Sequence, residues 1–192
     1  MPRLVLLNGP PGIGKTTLAR RYVRARPLSL VIDVDTLRRS LGQWEARPEQ
    51  AGRLARDLTL VMARTHLAAG HDVVVPQYVA RTEFLDELAR AAEDGGGRFV
   101  EVHLTDDRAA ALARFADRAA DPALAEHHRE AARHLTPEGL AAMYDRIEAV
   151  RLARPDALTI KTRAGEEDES YRDLVDALER SPAGGPARRL PR

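Results

Sequence analysis

The stretch Arg3-Leu4-Val5-Leu6-Leu7-Asn8-Gly9-Pro10-Pro11-Gly12-Ile13-Gly14-Lys15-Thr16 (RLVLLNGPPGIGKT) decides the fold. Its first half is a short, nearly unbroken apolar run, the pattern of a strand buried on both faces in a parallel sheet. Its second half, Gly9 to Thr16, is a complete match to G-x-x-x-x-G-K-[ST] in the strand-to-helix setting that gives the pattern its meaning. The glycines let consecutive backbone N–H groups converge on an anion, and the start of the following helix adds partial positive charge. A nucleotide polyphosphate is the expected ligand. Its predicted cradle comprises Gly9, Pro10, Pro11, Gly12, Ile13, Gly14, Lys15, Thr16 and Thr17, with Lys15 bridging the β- and γ-phosphates of ATP and the Thr16 hydroxyl coordinating Mg²⁺. Positive charge is carried almost wholly by arginine, with lysine only at Lys15 and Lys161, so general lysine abundance does not explain Lys15.

Runs like the first recur outward from it, at Leu28 to Val34 (LSLVIDV), Asp72 to Val75 (DVVV), Arg98 to Leu104 (RFVEVHL) and Ala157 to Ile160 (ALTI). Between them lie stretches with helical periodicity, such as Leu54, Leu58, Val61 and Met62. Strands alternating with amphipathic helices predict βαβ units with right-handed crossovers, hence an α/β fold: a five-stranded parallel sheet with helices on both faces. Asp35 and Thr136, the latter followed by Pro137, are placed to cap helices, and Gly70 follows the last turn of another.

At 192 residues the chain is long enough for one such sheet and too short for two, so a single domain is expected over residues 1–180. Residues Ala119 to Leu135 are polar and weakly patterned and read as a mobile insertion; Ser181 to Arg192 (SPAGGPARRLPR) has the composition of a disordered tail. With 44% hydrophobic and 31% charged residues the composition is that of a soluble globular protein, and a net charge of +1 gives no global pull toward nucleic acid or anionic membrane. The absence of cysteine excludes disulfides, thiolate nucleophiles and Cys-ligated metals. No apolar run reaches membrane-spanning length and the opening residues lack signal-peptide features, so no membrane partner and a cytoplasmic location are expected.

A phosphate loop alone does not separate kinases from switches or motors, and the second strand carries the discrimination. It ends Val31-Ile32-Asp33-Val34-Asp35-Thr36-Leu37-Arg38. Two carboxylates spaced by two in a strand point the same way, here toward the crevice where ligands bind in open α/β sheets. Asp35 is then placed to accept the proton of an attacking hydroxyl, or else only to cap a helix. Asp33 either assists through a Mg²⁺-bound water or only receives a helix N–H. Arg38, one turn further on, shares a face with Asp35 and suits an anionic part of the acceptor. Trp44 follows, either as an acceptor-site wall or packed on the helix starting near Pro48.

The segments GPPGIGKTT, VIDVDTLRRS, an Arg-x-x-x-Arg pair at Arg114 and Arg118, and LTPEGLAAMY resemble the kinase domain of phage-type polynucleotide 5′-kinases. That resemblance implies Asp35 as general base and Arg38 as acceptor ligand. The Val-Asp-Thr-Leu stretch is equally similar to the Val-Asp-Ser-Leu of chloramphenicol phosphotransferases, whose acceptor is a small alcohol. Val73-Val74-Val75-Pro76-Gln77 and the helix after it resemble tunicamycin-resistance-type P-loop proteins. Where polynucleotide kinases carry an aspartate after the third strand, this chain has Pro76-Gln77, with Gln77 on the acceptor side. Val100, Val102 and Leu104 run into Thr105 rather than an aspartate, unlike motor ATPases.

Together these resemblances imply a P-loop NTPase of nucleoside-kinase type with a lid insertion at about residues 114–136. In such kinases a lid arginine closes over the nucleotide, which implies a catalytic role for Arg118 and a nucleotide contact for Arg114; a solvated arginine face is the plain alternative. The implied function is transfer of the γ-phosphoryl group of ATP to a small-molecule or nucleoside-like alcohol. A polynucleotide 5′-hydroxyl is one alternative acceptor. A nucleotide-dependent ATPase or switch acting through a partner is another reading, although a switch's Asn-Lys-x-Asp motif is absent.

Overall fold

In a computed structural model of the chain, described for residues 1–108, 136–163 and 165–181, the five strands form one sheet. They are β1 (Arg3–Asn8), β2 (Leu30–Val31), β3 (Val73–Pro76), β4 (Arg98–Thr105) and β5 (Leu158–Lys161), paired in parallel in the order β2-β3-β1-β4-β5. The described helices are α1 (Lys15–Arg24), α2 (Val34–Arg39), α3 (Pro48–Ala68), α4 (Thr82–Asp94), α5 (Pro137–Ala153) and α6 (Glu167–Arg180), with a 3₁₀ turn at Trp44–Ala46. None of them is long and apolar enough to cross a membrane. Arg114, Arg118, the lid expected at about 114–136 and tail residues 182–192 lie outside the described residues.

The unbroken apolar run of β1 has its cause in its position. The strand is central, with Val5 opposite Val74 of β3 on one side and Val100 of β4 on the other. Leu4 and Leu6 pack with Val73, Val75, Phe84, Leu85 and Leu88 under α3 and α4, while Val5 and Leu7 pack with Val102, Leu18, Tyr22, Leu174 and Leu178 under α1 and α6. Full burial of each such side chain contributes about 1.5–3 kcal/mol, so the two-sided core fixes the sheet. At the edge remote from the phosphate loop, Asp72 accepts from the Tyr22 hydroxyl at 2.6 Å and from the Arg3 N–H at 2.8 Å, pinning α1 to the sheet. Burial and that bond push the Tyr22 hydroxyl up to about 12.

The structure departs from expectation in three places. The second strand is only Leu30–Val31: Leu28 takes a φ of 59°, and after Ile32 donates to Val74 the chain leaves the sheet at Asp33. Pro76 ends β3 opposite Leu7, past the end of β2, where its missing N–H costs no ladder bond. Second, Asp35 caps no helix. Asp33 does, accepting the Thr36 N–H at 2.9 Å, because the extended backbone that leaves β2 reaches the cap position two residues early. Third, Leu54, Leu58, Val61 and Met62 lie on a helix as predicted, but they are its exposed side, 37–51% accessible. The buried face of α3 is Ala51, Ala55, Thr59, Ala63 and Leu67, all but the last small residues that let the helix lie close to its neighbours. Thr136 caps α5 as expected, its hydroxyl accepting from Gly139 N–H at 3.1 Å, and Gly70 follows α3 with a φ of 90°.

Candidate nucleotide and acceptor site

Because β1 is the central strand, the loop leaving its carboxyl end opens in the crevice of the sheet, flanked by the ends of β3 and β4. Gly9 makes the first bend, at a φ of 153°, with the chain so close to β4 that a Cβ there would lie 2.9 Å from the Leu104 carbonyl oxygen. Ile13, 4% exposed, pegs the middle of the loop into the core beside Leu7 and Leu18. Gly14, at a φ of 99°, turns the chain into α1.

Several features suit a polyphosphate. Among the described residues no side chain caps α1, and no acidic residue stands in its first turn to neutralise the helix dipole there. Pro10 and Pro11 have no N–H to offer, and the Gly9 N–H is taken by the Asn8 side chain at 2.9 Å. The amides at the start of α1 and the Lys15 ammonium remain as candidate donors to an anion. Lys15 Nζ donates at 2.8 Å to the carbonyl oxygens of both Gly9 and Pro10. Burial lowers its pKa from 10.5 to about 8, against the pull of Asp35 and, less strongly, Asp33. A cation held partly desolvated between backbone carbonyls fits an anionic ligand. Thr16, in the first turn of α1, is half-buried, and Thr17 beside it is exposed.

Asp35 and Arg38 lie one turn apart on α2 and meet at 3.4 Å. The Arg38 guanidinium also stacks over the Trp44 ring at 5.0 Å, so Trp44 faces Arg38 from the 3₁₀ turn, which is entered through Gln43 at a φ of 55°. Enclosed by these groups, Arg38 Nε has no partner among the described residues. Asp35 is nearly half exposed, so its carboxylate is open to a ligand. Asp33 is committed to its cap, so the pair does not project side by side from a strand as the sequence predicts. Gln77 lies directly after β3, where its N–H continues the ladder to the Leu7 carbonyl at 3.1 Å.

Two polar clusters escaped the sequence reading. Asn8, fully buried, bonds to Gly9 and to both backbone groups of Val79. Its signal is a lone polar residue closing an otherwise apolar strand. Glu101 and His103, also buried, bond to each other at 2.7 Å, and Glu101 takes a second bond from Arg154 just past α5. Polar residues two apart inside the apolar run of β4 were the signal there.

A protein-family model described as "AAA domain" matches residues 4–150. A search of curated proteins finds no match. Among solved structures, a gluconokinase from Sinorhizobium meliloti is similar at 20% identity and a TM-score of 0.59, over 93% of this chain and 92% of that one. An APS kinase from Mycobacterium tuberculosis, in complex with AMPPNP and APS, is similar at 20% identity and a TM-score of 0.54, over 93% and 98%. A tunicamycin resistance protein from Deinococcus radiodurans is similar at 16% identity and a TM-score of 0.52, over 92% and 96%. The fold is the α/β P-loop kinase fold, and the chain belongs to the AAA-domain family.

Proposed function

We propose that this chain is an ATP-dependent phosphotransferase that moves the γ-phosphoryl group onto a hydroxyl of a small-molecule or nucleoside-like acceptor. The observation that carries the proposal is the setting of Lys15, a cation poised at the phosphate loop and within the field of Asp35 and Asp33 on α2. A loop for the donor and an open carboxylate beside it are what transfer to an alcohol needs; a loop with no carboxylate nearby would suit mere nucleotide retention. Two of the similar structures, a gluconokinase and an APS kinase, are kinases by name.

ATP with Mg²⁺ supplies, when bound, the transferable phosphoryl group and the counter-charge on its leaving oxygens. The amides at the start of α1 and the Lys15 ammonium would hold the phosphates, and the Thr16 hydroxyl would be a ligand to the metal. Asp35 accepts the proton that the acceptor hydroxyl releases as its oxygen bonds to phosphorus and ADP departs. Arg38, already paired with Asp35, orients the carboxylate and binds anionic groups of the acceptor, and Gln77, which directly follows β3, is assigned to the acceptor as well. Arg118, assisted by Arg114, is assigned to charge developing on the transferred group. A cytoplasmic location accords with access to ATP.

The test is a screen of sugar acids, nucleosides, antibiotic alcohols and oligonucleotide 5′-ends for acceptor-dependent ADP release, with the product identified by mass. One class should gain a single phosphoryl group, and Arg118→Ala should slow that reaction by about 10³-fold or more. Nucleotide hydrolysis that no alcohol accelerates, and that yields no phosphorylated product, would leave the ATPase or switch instead.

A further inference from the structure

Asn8 stands where β1 becomes the phosphate loop, with no solvent exposure. Its Oδ1 accepts from the Gly9 N–H and from the Val79 N–H, and its Nδ2 donates to the Val79 carbonyl, each at 2.9 Å. A carboxamide offers donor and acceptor on one flat group, so a single side chain closes both backbone valences of Val79 while fixing the first amide of the loop. Val79 lies 71 residues away in sequence, in the stretch that follows β3, and is itself buried. The same stretch is bound to β1 by Gln77 N–H on Leu7, and on its other side the Tyr78 hydroxyl meets the Met143 carbonyl of α5 at 3.4 Å. The loop at Gly9 runs close against β4, where a Cβ would lie 2.9 Å from the Leu104 carbonyl oxygen, and the Asn8 side chain is its bonded link to Val79.

We infer that Asn8 is a positioning residue that couples the phosphate loop to residues Gln77–Val79, so that nucleotide binding also orders the acceptor side of the crevice. What residues 77–79 do for the acceptor rests on the kinase proposal; the coupling does not. Filling the cradle restrains Gly9, Asn8 holds Gly9 and Val79 together, and opening of Val79 becomes rarer.

The test is amide exchange by NMR on the full chain, free and saturated with ADP. In the wild type, exchange at Gly9 and at Val79 should slow together, each by about tenfold or more. In Asn8→Ser, whose side chain is too short to span both partners, protection of the loop should persist while the change at Val79 disappears. General destabilisation by that variant would speed exchange everywhere but would not remove the ligand-dependent difference at one amide. Slowing at Gly9 without Val79 in the wild type would overturn the inference, even if Asn8→Ser fails to fold. So would undiminished transmission in Asn8→Ser. A ligand-free arm covers the case in which ADP does not bind, which would defeat the kinase proposal alone. There, Gly9→Ala should speed exchange at Val79 by about tenfold in the Asn8 background and leave it unchanged beside Asn8→Ser. Equal effects in both backgrounds would overturn the coupling.

Discussion

The ammonium of Lys15 donates to the carbonyl oxygen of Gly9 at 2.8 Å, so in the free protein the loop's own backbone satisfies the cation proposed to hold phosphate. Carbonyl dipoles replace water only in part, and burial brings the ammonium down to about 8. The folded state therefore holds this proton less tightly than the unfolded chain, and charged Lys15 costs stability below that pH. Lys15→Met should leave the ligand-free melting temperature unchanged or raise it, while abolishing the stabilisation that nucleotide confers. A clear fall in the ligand-free Tm would mean that the two carbonyl bonds outweigh desolvation.

The same shift gives nucleotide binding a pH dependence with a fixed sign. A bound polyphosphate favours the ammonium and raises its pKa, so above about pH 8 binding must take up a proton. Affinity should then fall as pH rises through that value, by up to about tenfold per unit. Calorimetry in two buffers of different ionisation enthalpy would report the uptake, which should vanish in Lys15→Met. Affinity that is flat through this range would show that Lys15 is not held near neutrality in the free state.

Much of the geometry of this candidate site was legible because it is local in sequence. The phosphate loop needs glycines, a lysine and a threonine at fixed spacing between a strand and a helix, and that spacing survives any change in the rest of the fold. Asp35 with Arg38 was legible for the same reason, being one helical turn. What failed depended on where the chain leaves the sheet. Asp33 and Asp35 alternate like strand residues, yet the strand stops at Val31, so the cap falls on Asp33, one of the two readings offered for it, and not on Asp35. In α3 the large apolar residues announce a helix correctly yet stand on its exposed side, since close packing selects alanine, which hydropathy hardly marks. The Asn8–Val79 bonds span 71 residues, a contact that no local pattern encodes.

The glycines of the loop should differ in what they tolerate. At Gly9 a methyl group would lie 2.9 Å from backbone oxygen of Leu104, whereas at Gly14 it would meet nothing within 4 Å and only the φ of 99° opposes it. Gly14→Ala should cost the roughly 1–3 kcal/mol typical of backbone strain, and Gly9→Ala more, because β4 must also shift. Urea denaturation of the two variants ranks them. Equal losses would show that the loop moves away from β4 freely.

The last expectation separates the two carboxylates of α2. Asp33 holds the helix start through the Thr36 N–H at 2.9 Å, so Asp33→Ala should cost about 0.5–2 kcal/mol of stability and Asp33→Asn far less. Asp35 makes no such bond; its partner is Arg38 at 3.4 Å, in a solvent-screened pair that contributes little to folding. Asp35→Asn should therefore fold as well as the wild type and bind ATP nearly as well at neutral pH, yet lose roughly 10²- to 10⁴-fold in kcat on the true acceptor. It should also leave a second trace. Of the two carboxylates that hold the Lys15 ammonium up against desolvation, Asp35 acts the more strongly, so without it the Lys15 pKa drops further below its ordinary 10.5. The pH above which nucleotide affinity declines should accordingly move to lower values in Asp35→Asn, and move less in Asp33→Asn. A loss of kcat without that movement would place the Asp35 carboxylate at the acceptor but not in the field of the phosphate loop. Movement without loss of kcat would make it an electrostatic neighbour of Lys15 and remove it as the base.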